Sequence, residues 1–265
     1  MYKVRLRLLA PLHVGWLKQG NLQRTRPYVT GKALWGALTA RLTRDYPHLG
    51  SYQQVGEQVK TQLAFSYFYP ATGDRVDCWP WGAQADEFAW CYLHSYASTA
   101  LDYQHNRAEE GSLHETEYIA PQTREGKPVY LLGYIFEREG CTLPRWRDVL
   151  PHLQLGGERG YGWGRVRPEG EPQETRKFFP GWQVDLDGER PVLRAEGEGA
   201  VFYAHVQAQG VQARGVIEPF LGRETASDGQ HGERLSQARI CWAPGGQLLE
   251  AGKMEIGEFG IWCKV

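Results

Sequence analysis

The chain has 265 residues and a mass of 30.1 kDa, with 42% hydrophobic and 23% charged residues. This balance is typical of a globular protein and excludes a disordered chain, a coiled coil and a collagen-like fibre. No apolar run approaches the roughly 18 residues of a membrane helix, and the N-terminus lacks the apolar core of a secretory signal. Five cysteines without a CxxC pair do not suggest a disulfide framework. We therefore expect a soluble protein of a reducing compartment, the cytoplasm, with no membrane partner.

The net charge is −1, but the basic residues are unevenly distributed. Residues 1–50 contain nine Lys or Arg and one acid, Asp45, which gives a local excess of +8. Arginine outnumbers lysine by 22 to 8 in the whole chain, and its guanidinium suits bidentate phosphate contacts and stacking on bases. The local excess predicts an anionic partner, although a solvated basic face without a partner gives the same pattern.

The N-terminal region has a strong local pattern. Residues 2–9 alternate apolar and basic side chains, which predicts a half-buried strand. A loop rich in Gly, Gln and Arg is predicted to follow, up to residue 28. Thr30 is suited to cap a helix whose apolar positions recur at helical spacing from Ala33 to Leu42. Strand, basic loop and amphipathic helix in this order are the opening of a β-α-β or split β-α-β unit.

The rest of the chain is richer in predicted strand than in helix. Residues 129–136 are predicted to be a buried strand and residues 144–153 a short helix. Residues 63–69 and 88–93 are predicted as strands or buried segments, and residues 182–186, 201–208, 238–243 and 259–265 as strands. A polar, Gly-rich segment at 222–233 predicts a loop, and the polar segment 168–177 predicts a linker or a long loop. The fold class is therefore α+β.

Within nine residues lie five glycines: Gly156, Gly157, Gly160, Gly162 and Gly164. Glycines let the backbone approach a ligand closely, and successive N–H groups can form an anion-binding nest. Arg159, Arg165 and Arg167 add positive charge to this segment. Tyr161 and Trp163 add faces on which bases can stack, so the combination suits a polynucleotide backbone. The alternative is a tight glycine hairpin whose aromatic side chains pack inward.

Three stretches carry a resemblance to a known family. They are LHVG at 12–15 with PYVTGKALWGAL at 27–38, ALDY at 100–103 with NRAEEGSLHETE at 106–117, and LGGERGYGWGRV at 155–166. Together they resemble the RAMP superfamily (repeat-associated mysterious proteins), the RNA-binding subunits of CRISPR effector complexes. The resemblance implies a ferredoxin-like, RRM-related fold with a Gly-rich loop over 1–167, followed by a β-rich second domain or extension over 168–265.

The resemblance also implies a function and its residues. It implies a subunit that binds guide RNA (crRNA) in a type III CRISPR ribonucleoprotein of antiviral defence, most like the family's 5′-handle-binding subunit. The implied partners are the crRNA, other effector subunits and, indirectly, target RNA. The residues expected to grip the RNA backbone or 5′ handle are Lys18, Arg24, Arg26, Lys32, Gly156, Gly157, Arg159, Gly160, Tyr161, Gly162, Trp163, Gly164 and Arg165.

No metal-dependent nuclease site is predicted. Type III backbone subunits of this family cut target RNA with an Asp in the loop after the first strand, because a carboxylate must hold the cation. Residues 1–44 contain no Asp or Glu, and the loop 16–26 offers basic and amide side chains instead. Asp102 would substitute only if the fold brings it to this loop. We therefore expect a non-catalytic subunit without metal or cofactor.

Three alternatives stay open at this point. Processing endoribonucleases of the family activate the RNA 2′-hydroxyl with a general base and no metal, and His13, beside the basic loop, is the candidate base. A catalytically silent backbone subunit would carry the same basic and Gly-rich segments. A protein scaffold whose basic face meets an acidic partner would explain the charge without RNA.

Two further groups are predicted to be structural. Cys78, Cys91 and His94 lack the short paired spacing of structural zinc ligands, so no metal site is predicted from them. Glu115 and Glu117 lie on one side of a predicted strand, where a structural or salt-bridging role is favoured over acid–base chemistry.

Overall fold

The computed structural model describes residues 1–138, 140–143, 146–225 and 231–265. Within these residues the chain forms two compact units, Met1–Thr175 and Arg176–Val265. No helix among them is long and apolar enough to span a membrane. Both units are rich in strands, and the α-helices that the structure describes lie in the first unit, so the α+β class is confirmed.

The first unit opens with a strand, a hairpin and a helix. Its strands are β1 (Tyr2–Leu8), β2 (Gly15–Gln19), β3 (Leu22–Thr25), β4 (Leu63–Phe65), β5 (Tyr69–Ala71), β6 (Leu93–Ser98), β7 (Leu101–Asp102), β8 (Arg107–Ala108), β9 (His114–Ile119), β10 (Tyr130–Glu137), β11 (Val166–Pro168) and β12 (Gln173–Glu174). Its α-helices are α1 (Gly31–Asp45), α2 (Tyr52–Gln62) and α3 (Ala85–Tyr92). Short 3-10 turns lie at Pro47–Leu49, Gly82–Gln84, Leu150–His152 and Arg159–Tyr161.

The main sheet of this unit has the antiparallel order β11-β1-β10-β4. The predicted alternation in β1 is confirmed, because Val4, Leu6 and Leu8 are buried while the basic residues between them are half-buried. In chain order the sheet runs fourth, first, third, second, and α1 and α2 connect its first strand to its second. Strand β12 pairs with β1, so residues up to 175 belong to the first unit.

The predicted helix after residue 30 is α1. The Thr30 hydroxyl accepts a hydrogen bond from the Ala33 N–H at 3.3 Å, which confirms the predicted cap. Such a cap contributes about 1 kcal/mol to helix stability. Leu34, Leu38 and Leu42 are buried on one face of α1 and belong to the core of this unit. Their four-residue spacing is the reason that the local sequence predicts this helix.

The connection from β10 to β11 differs from the prediction. A β-α-β-β-α-β fold has a second helix at this position. The described part of the predicted helix 144–153 contains only the 3-10 turn Leu150–His152, and residues 144 and 145 lie outside the described residues. Pro151 lies inside this segment, where it removes a backbone donor and disfavours an α-helix.

A second sheet of the first unit has the order β2-β3-β9-β6. Its hairpin β2–β3 corrects the predicted loop at 16–26. Gly20 has a φ of +59° and, with Asn21, joins the two strands in a two-residue turn. A Gly-Asn pair between short strands is a known hairpin signal, which the basic composition of this stretch obscured.

Three further predicted elements of the first unit have different outcomes. For residues 88–93, predicted as a strand or a buried segment, the strand alternative is wrong, because residues 85–92 form α3 and β6 begins at Leu93. Phe88 and Tyr92, four residues apart, are buried, whereas Trp90 between them is 65% exposed. This is the pattern of a helix packed on one face. The segment 63–69 is divided into β4 and β5, and the strand predicted at 129–136 is confirmed as β10.

The second unit contains strands over its whole length. They are β13 (Trp182–Asp185), β14 (Val192–Ala195), β15 (Val206–Gln207), β16 (Ala213–Arg214), β17 (Ile217–Phe220), β18 (Arg223–Thr225), β19 (His231–Leu235), β20 (Arg239–Trp242), β21 (Gln247–Leu248), β22 (Lys253–Ile256) and β23 (Trp262–Lys264). Seven of them form one sheet in the order β13-β14-β22-β23-β15-β20-β17. Its buried aromatic side chains include Trp182, Phe202 and Trp262.

Most strands predicted in this unit are present. The segments 182–186, 238–243 and 259–265 contain β13, β20 and β23, while the segment 201–208 contains only the short β15. The predicted loop 222–233 is wrong in part, because β18 and the first residues of β19 lie inside it and pair with each other in antiparallel fashion. Residues 226–230 of that loop lie outside the described residues.

Candidate nucleic-acid interface

The Gly-rich loop, residues 155–165, is closed at its base. The Leu155 N–H donates to the Gly164 carbonyl at 2.8 Å. The side-chain amide of Gln154 donates to the carbonyls of Arg159 and Trp163, at 2.9 and 2.8 Å. One amide thus satisfies two carbonyls inside the loop, so the loop keeps a defined backbone shape without regular strand pairing.

Two glycines of the loop are required by close backbone contacts. Gly156 and Gly164 have φ values of +72° and +75°, in the left-handed region that favours glycine. A Cβ on Gly156 would lie 2.2 Å from the His13 carbonyl oxygen, and one on Gly164 would lie 1.8 Å from that of Leu155. At Gly160 a Cβ would meet open space. At Gly156 and Gly164 the close approach is therefore to the protein's own backbone.

Hydrogen bonds join the loop to the segment that follows β1. The Gly157 N–H donates to the His13 carbonyl at 2.8 Å, and the Gly164 N–H donates to the Pro11 carbonyl at 2.7 Å. The loop therefore lies beside the end of β1. These bonds bring together two of the three stretches that resemble the RAMP superfamily, those at 12–15 and 155–166.

His13 and Glu117 connect this junction to the second sheet. His13 is only 6% exposed, and its Nδ1–H donates to the Glu117 backbone carbonyl at 2.7 Å. The Glu117 carboxylate accepts from Arg24 Nε and from the Thr25 backbone N–H, both at 3.0 Å. The salt-bridging role favoured for Glu117 is confirmed. One residue of β9 thus contacts both the hairpin β2–β3 and the histidine that holds the loop.

The side chains of the loop divide into exposed and packed ones. Arg159, Tyr161 and Arg165 are exposed, and Tyr161 has 84% of its surface accessible. Trp163 is half-buried and packs edge-on against Tyr118 of β9, with ring centroids 5.1 Å apart. The two predicted stacking residues therefore differ, because Tyr161 is open to a ligand and Trp163 is engaged with the protein.

A further aromatic residue, Tyr96, lies beside the loop. Its ring centroid is 6.5 Å from that of Trp163, and the side chain is 58% exposed. The register pairs Tyr96 with Thr116 and His94 with Tyr118, so alternate residues of β6 and β9 share this face. Tyr96 is absent from the predicted site residues. In a strand, the two-residue spacing between His94 and Tyr96 places both side chains on one face. The sequence reveals this only once the start of β6 is known.

The predicted basic residues of the N-terminal region differ in exposure and in their partners. Lys18 is exposed on β2, whereas Arg24 is ion-paired as described above. Arg26 is only 7% exposed, and its Nη1 donates to the Tyr28 hydroxyl at 3.3 Å. Lys32 is half-buried in the first turn of α1. The expected basic loop is thus a hairpin, and of its two predicted arginines Arg24 is paired and Arg26 is buried.

Acidic groups from distant segments partly neutralise the basic face of β1. Arg5 is ion-paired with Asp74, lies 3.9 Å from the Glu169 carboxylate and sits over the Tyr130 ring at 4.6 Å. Lys3 donates to the backbone carbonyl of Asp74. The excess of +8 in residues 1–50 therefore overstates the positive charge that this face presents.

Metal-ligating groups are dispersed. Among the described residues no group of three His, Cys, Asp or Glu side chains could hold a metal ion. Burial raises the pKa of the Cys78 thiol to about 11 and also raises the pKa of Cys91, which disfavours the thiolate that a metal would need. A hydrogen bond from His105 lowers the pKa of Asp102. Asp102 contacts His105 and Arg107 within its own hairpin, β7–β8.

Comparisons with known proteins bear on the fold. No protein-family model and no curated protein sequence matches the chain. Among solved structures, a chain of the type III-B Cmr-beta complex bound to cognate target RNA and AMPPnP, state 1, matches with a TM-score of 0.53 and 10% identity over 93% of this chain and 85% of that chain. Two further matches are each 11% identical over 63% of this chain. One is a chain of Cmr-beta bound to cognate target RNA, with a TM-score of 0.44 over 95% of that chain. The other is a chain of Cmr-beta in the apo state, with a TM-score of 0.42 over 96% of that chain. The first match extends over both units, and at 10% identity it establishes a shared fold.

Proposed function

We propose that this chain is a non-catalytic guide-RNA-binding subunit of a type III CRISPR ribonucleoprotein, with other effector subunits as its partners. The observation that carries the proposal is the Gly-rich loop. Its backbone is held against the end of β1, while Arg159, Tyr161 and Arg165 are exposed. The shared fold with a Cmr-beta chain and the three RAMP-like stretches support the same role.

The loop suits an unpaired strand of RNA. Arg159 and Arg165 carry guanidinium groups that can contact phosphates, and each neutralised phosphate releases counterions. Tyr161 and Tyr96 offer ring faces, and a base can stack on them only when it is splayed out of a helix. Lys18 is an exposed cation on β2, an edge strand of the sheet whose other edge strand, β6, carries Tyr96.

Within the complex we propose contact with the 5′ handle of the guide. The presence of two compact units is compatible with a subunit of this kind. Removing the 5′ handle from the guide should then abolish most of the affinity, whereas removing the same number of nucleotides from the 3′ end should not. A backbone subunit would instead lose affinity equally from either end, and that result would contradict the handle assignment.

His13 is not proposed as a general base. Such a base must come within hydrogen-bond reach of the 2′-hydroxyl that it deprotonates. His13 is 6% exposed, its Nδ1–H is donated to the Glu117 carbonyl, and its own carbonyl accepts the Gly157 N–H. These contacts favour a role in holding the loop. We expect a repeat-containing RNA to stay intact with the protein in chelator; cleavage that His13→Ala abolishes would refute this.

The test of the proposal is RNA affinity measured by fluorescence anisotropy at several salt concentrations. The double variant Arg159→Ala/Arg165→Ala should bind a repeat-containing RNA at least tenfold more weakly and with a shallower dependence on salt. The matched control is Arg44→Ala/Arg75→Ala, which removes two exposed arginines outside the loop. Equal affinity of the loop variant and the control would overturn the loop assignment.

A further inference from the structure

The second unit contains a cleft of about 840 Å³ whose lining residues all belong to that unit. Its walls come from the ends of β15, β20, β22 and β23. The parallel strands β15 and β23 pair at a single position, Val206 with Trp262. Beyond it, Gln207 pairs with β20 and Cys263 pairs with β22. The two strands part there, and Gln207 and Cys263 line the opening.

Two arginines line the cleft, and each is held by a carboxylate near the β22–β23 turn. Arg190 Nε lies 3.5 Å from the Glu255 carboxylate, and Arg239 Nη2 lies 2.9 Å from that of Glu258. Their side chains are 33% and 38% exposed. An arginine carries more N–H donors than one carboxylate contact uses, so each ion pair orients a guanidinium and leaves donors for a ligand.

Amide groups add further donors. The Gln207 Oε1 accepts the Cys263 thiol at 3.5 Å, which leaves its NH₂ group as the free part of the amide. Gln209 and Gln237 are exposed and line the same cleft. The carboxylates are already paired with the arginines. The polar side chains of the cleft are therefore richer in free donors than in free acceptors, and Ala208, Ala238 and Ile240 form the apolar part of its lining.

We propose that this cleft binds the phosphate and ribose of an unpaired nucleotide. Phosphate and sugar present several acceptor oxygens in a small volume, which matches two oriented guanidinium groups and three amides. The site is separate from the Gly-rich loop and does not depend on the role proposed for it. The two arginines and two glutamates of the cleft balance in charge, so binding here should depend less on salt than binding at an unpaired arginine.

Cys263 provides a local readout, because it lines the cleft. The full-length protein is labelled with N-ethylmaleimide in the presence of uridine monophosphate or of a hexauridylate RNA, and the peptides are measured by mass spectrometry. Occupancy should slow labelling of Cys263 in a saturable manner. Labelling of Cys141, a half-buried cysteine of the first unit, should stay unchanged. Protection by both probes indicates a nucleotide site, and protection by the hexamer alone indicates a strand site.

Variants identify the groups that bind. Arg190→Gln/Arg239→Gln should raise the concentration for half-protection at least tenfold, and Gln209→Ala should raise it severalfold without disturbing an ion pair. The control Arg194→Gln breaks a comparable ion pair, with Asp185 at 2.7 Å, outside the cleft and should change nothing. Protection should persist in Arg159→Ala/Arg165→Ala, which separates this site from the loop. Cys263 labelling that neither probe slows, or protection that is equal in the arginine variant and its control, would overturn the proposal.

Discussion

Trp163 of the Gly-rich loop packs edge-on against Tyr118 of β9, with their rings at 65° and their centroids 5.1 Å apart. The contact joins the loop to the second sheet of the first unit, whereas the hydrogen bonds of Gly157 and Gly164 join it to the end of β1. Tyr161, two residues earlier, remains 84% exposed. The loop thus has one packed and one free aromatic side chain, and they should respond differently to substitution.

Trp163→Ala should lower the free energy of unfolding by about 2 kcal/mol, because a half-buried aromatic side chain loses its packing. Tyr161→Ala should change it by less than about 0.5 kcal/mol, since an exposed ring stabilises little. The latter variant should still bind single-stranded RNA about tenfold or more weakly, through the loss of one stacked base. Urea unfolding and anisotropy measure the two effects. Equal losses of stability in both variants would show that Tyr161 is packed in solution.

Gly164→Ala should be among the most destabilising small substitutions in the loop. The added Cβ would lie 1.8 Å from the Leu155 carbonyl oxygen, at a φ of +75°. The steric clash and the backbone strain together should lower the free energy of unfolding by about 2–4 kcal/mol, measured by thermal or urea unfolding. The control is Gly160→Ala, whose Cβ would point into open space and should cost less than about 1 kcal/mol. Similar midpoints for the two variants would contradict the described loop conformation.

Glu117→Ala should destabilise the first unit by about 2 kcal/mol. The substitution removes the acceptor of the Thr25 backbone N–H, and Thr25 is only 1% exposed, so a buried donor loses its partner. It also removes the charged partner of Arg24. Glu115→Ala, two residues earlier on the same strand, is the matched control and should cost less than about 0.5 kcal/mol. If the two variants unfold at the same urea concentration, Glu117 does not hold the hairpin.

His94 should make stability depend on pH. Burial, together with the positive charge of Arg124, lowers the pKa of His94 below its usual 6.5, and its Nε2 is a buried atom without a hydrogen-bond partner in the described structure. The unfolded chain therefore binds a proton at a higher pH than the folded chain does. The stability contributed by neutral His94 is present above pH 6.5 and is lost as the pH falls below it. His94→Phe keeps the ring beside Tyr118 and cannot titrate, so the difference in unfolding free energy between variant and wild type should change between pH 7.5 and 5. A constant difference would argue against this assignment.

Local patterns were sufficient to predict elements that bury one regular face. β1 alternates apolar and basic residues, α1 repeats leucines at helical spacing behind a Thr cap, and β10 is a continuous apolar run. In each case the side chains reach the core through their own element's periodicity, so no distant residue is needed to recognise it. The Gly-rich loop was likewise visible, because its glycine spacing and its arginines are features of composition.

Contacts between residues distant in the chain explain the rest. Arg26 is basic in the sequence, yet it is buried beside Tyr28, and Arg5 is neutralised by an aspartate 69 residues away. The hairpin β2–β3 has a local Gly-Asn turn signal, but its place in the second sheet comes from the pairing of β3 with β9. Helix α3 has only eight residues, too few for a clear helical period, and its buried face is defined by the residues it packs against. Tyr96 joins the candidate interface only through the pairing of β6 with β9. Burial and charge pairing depend on neighbours in space, and a linear sequence does not list those neighbours.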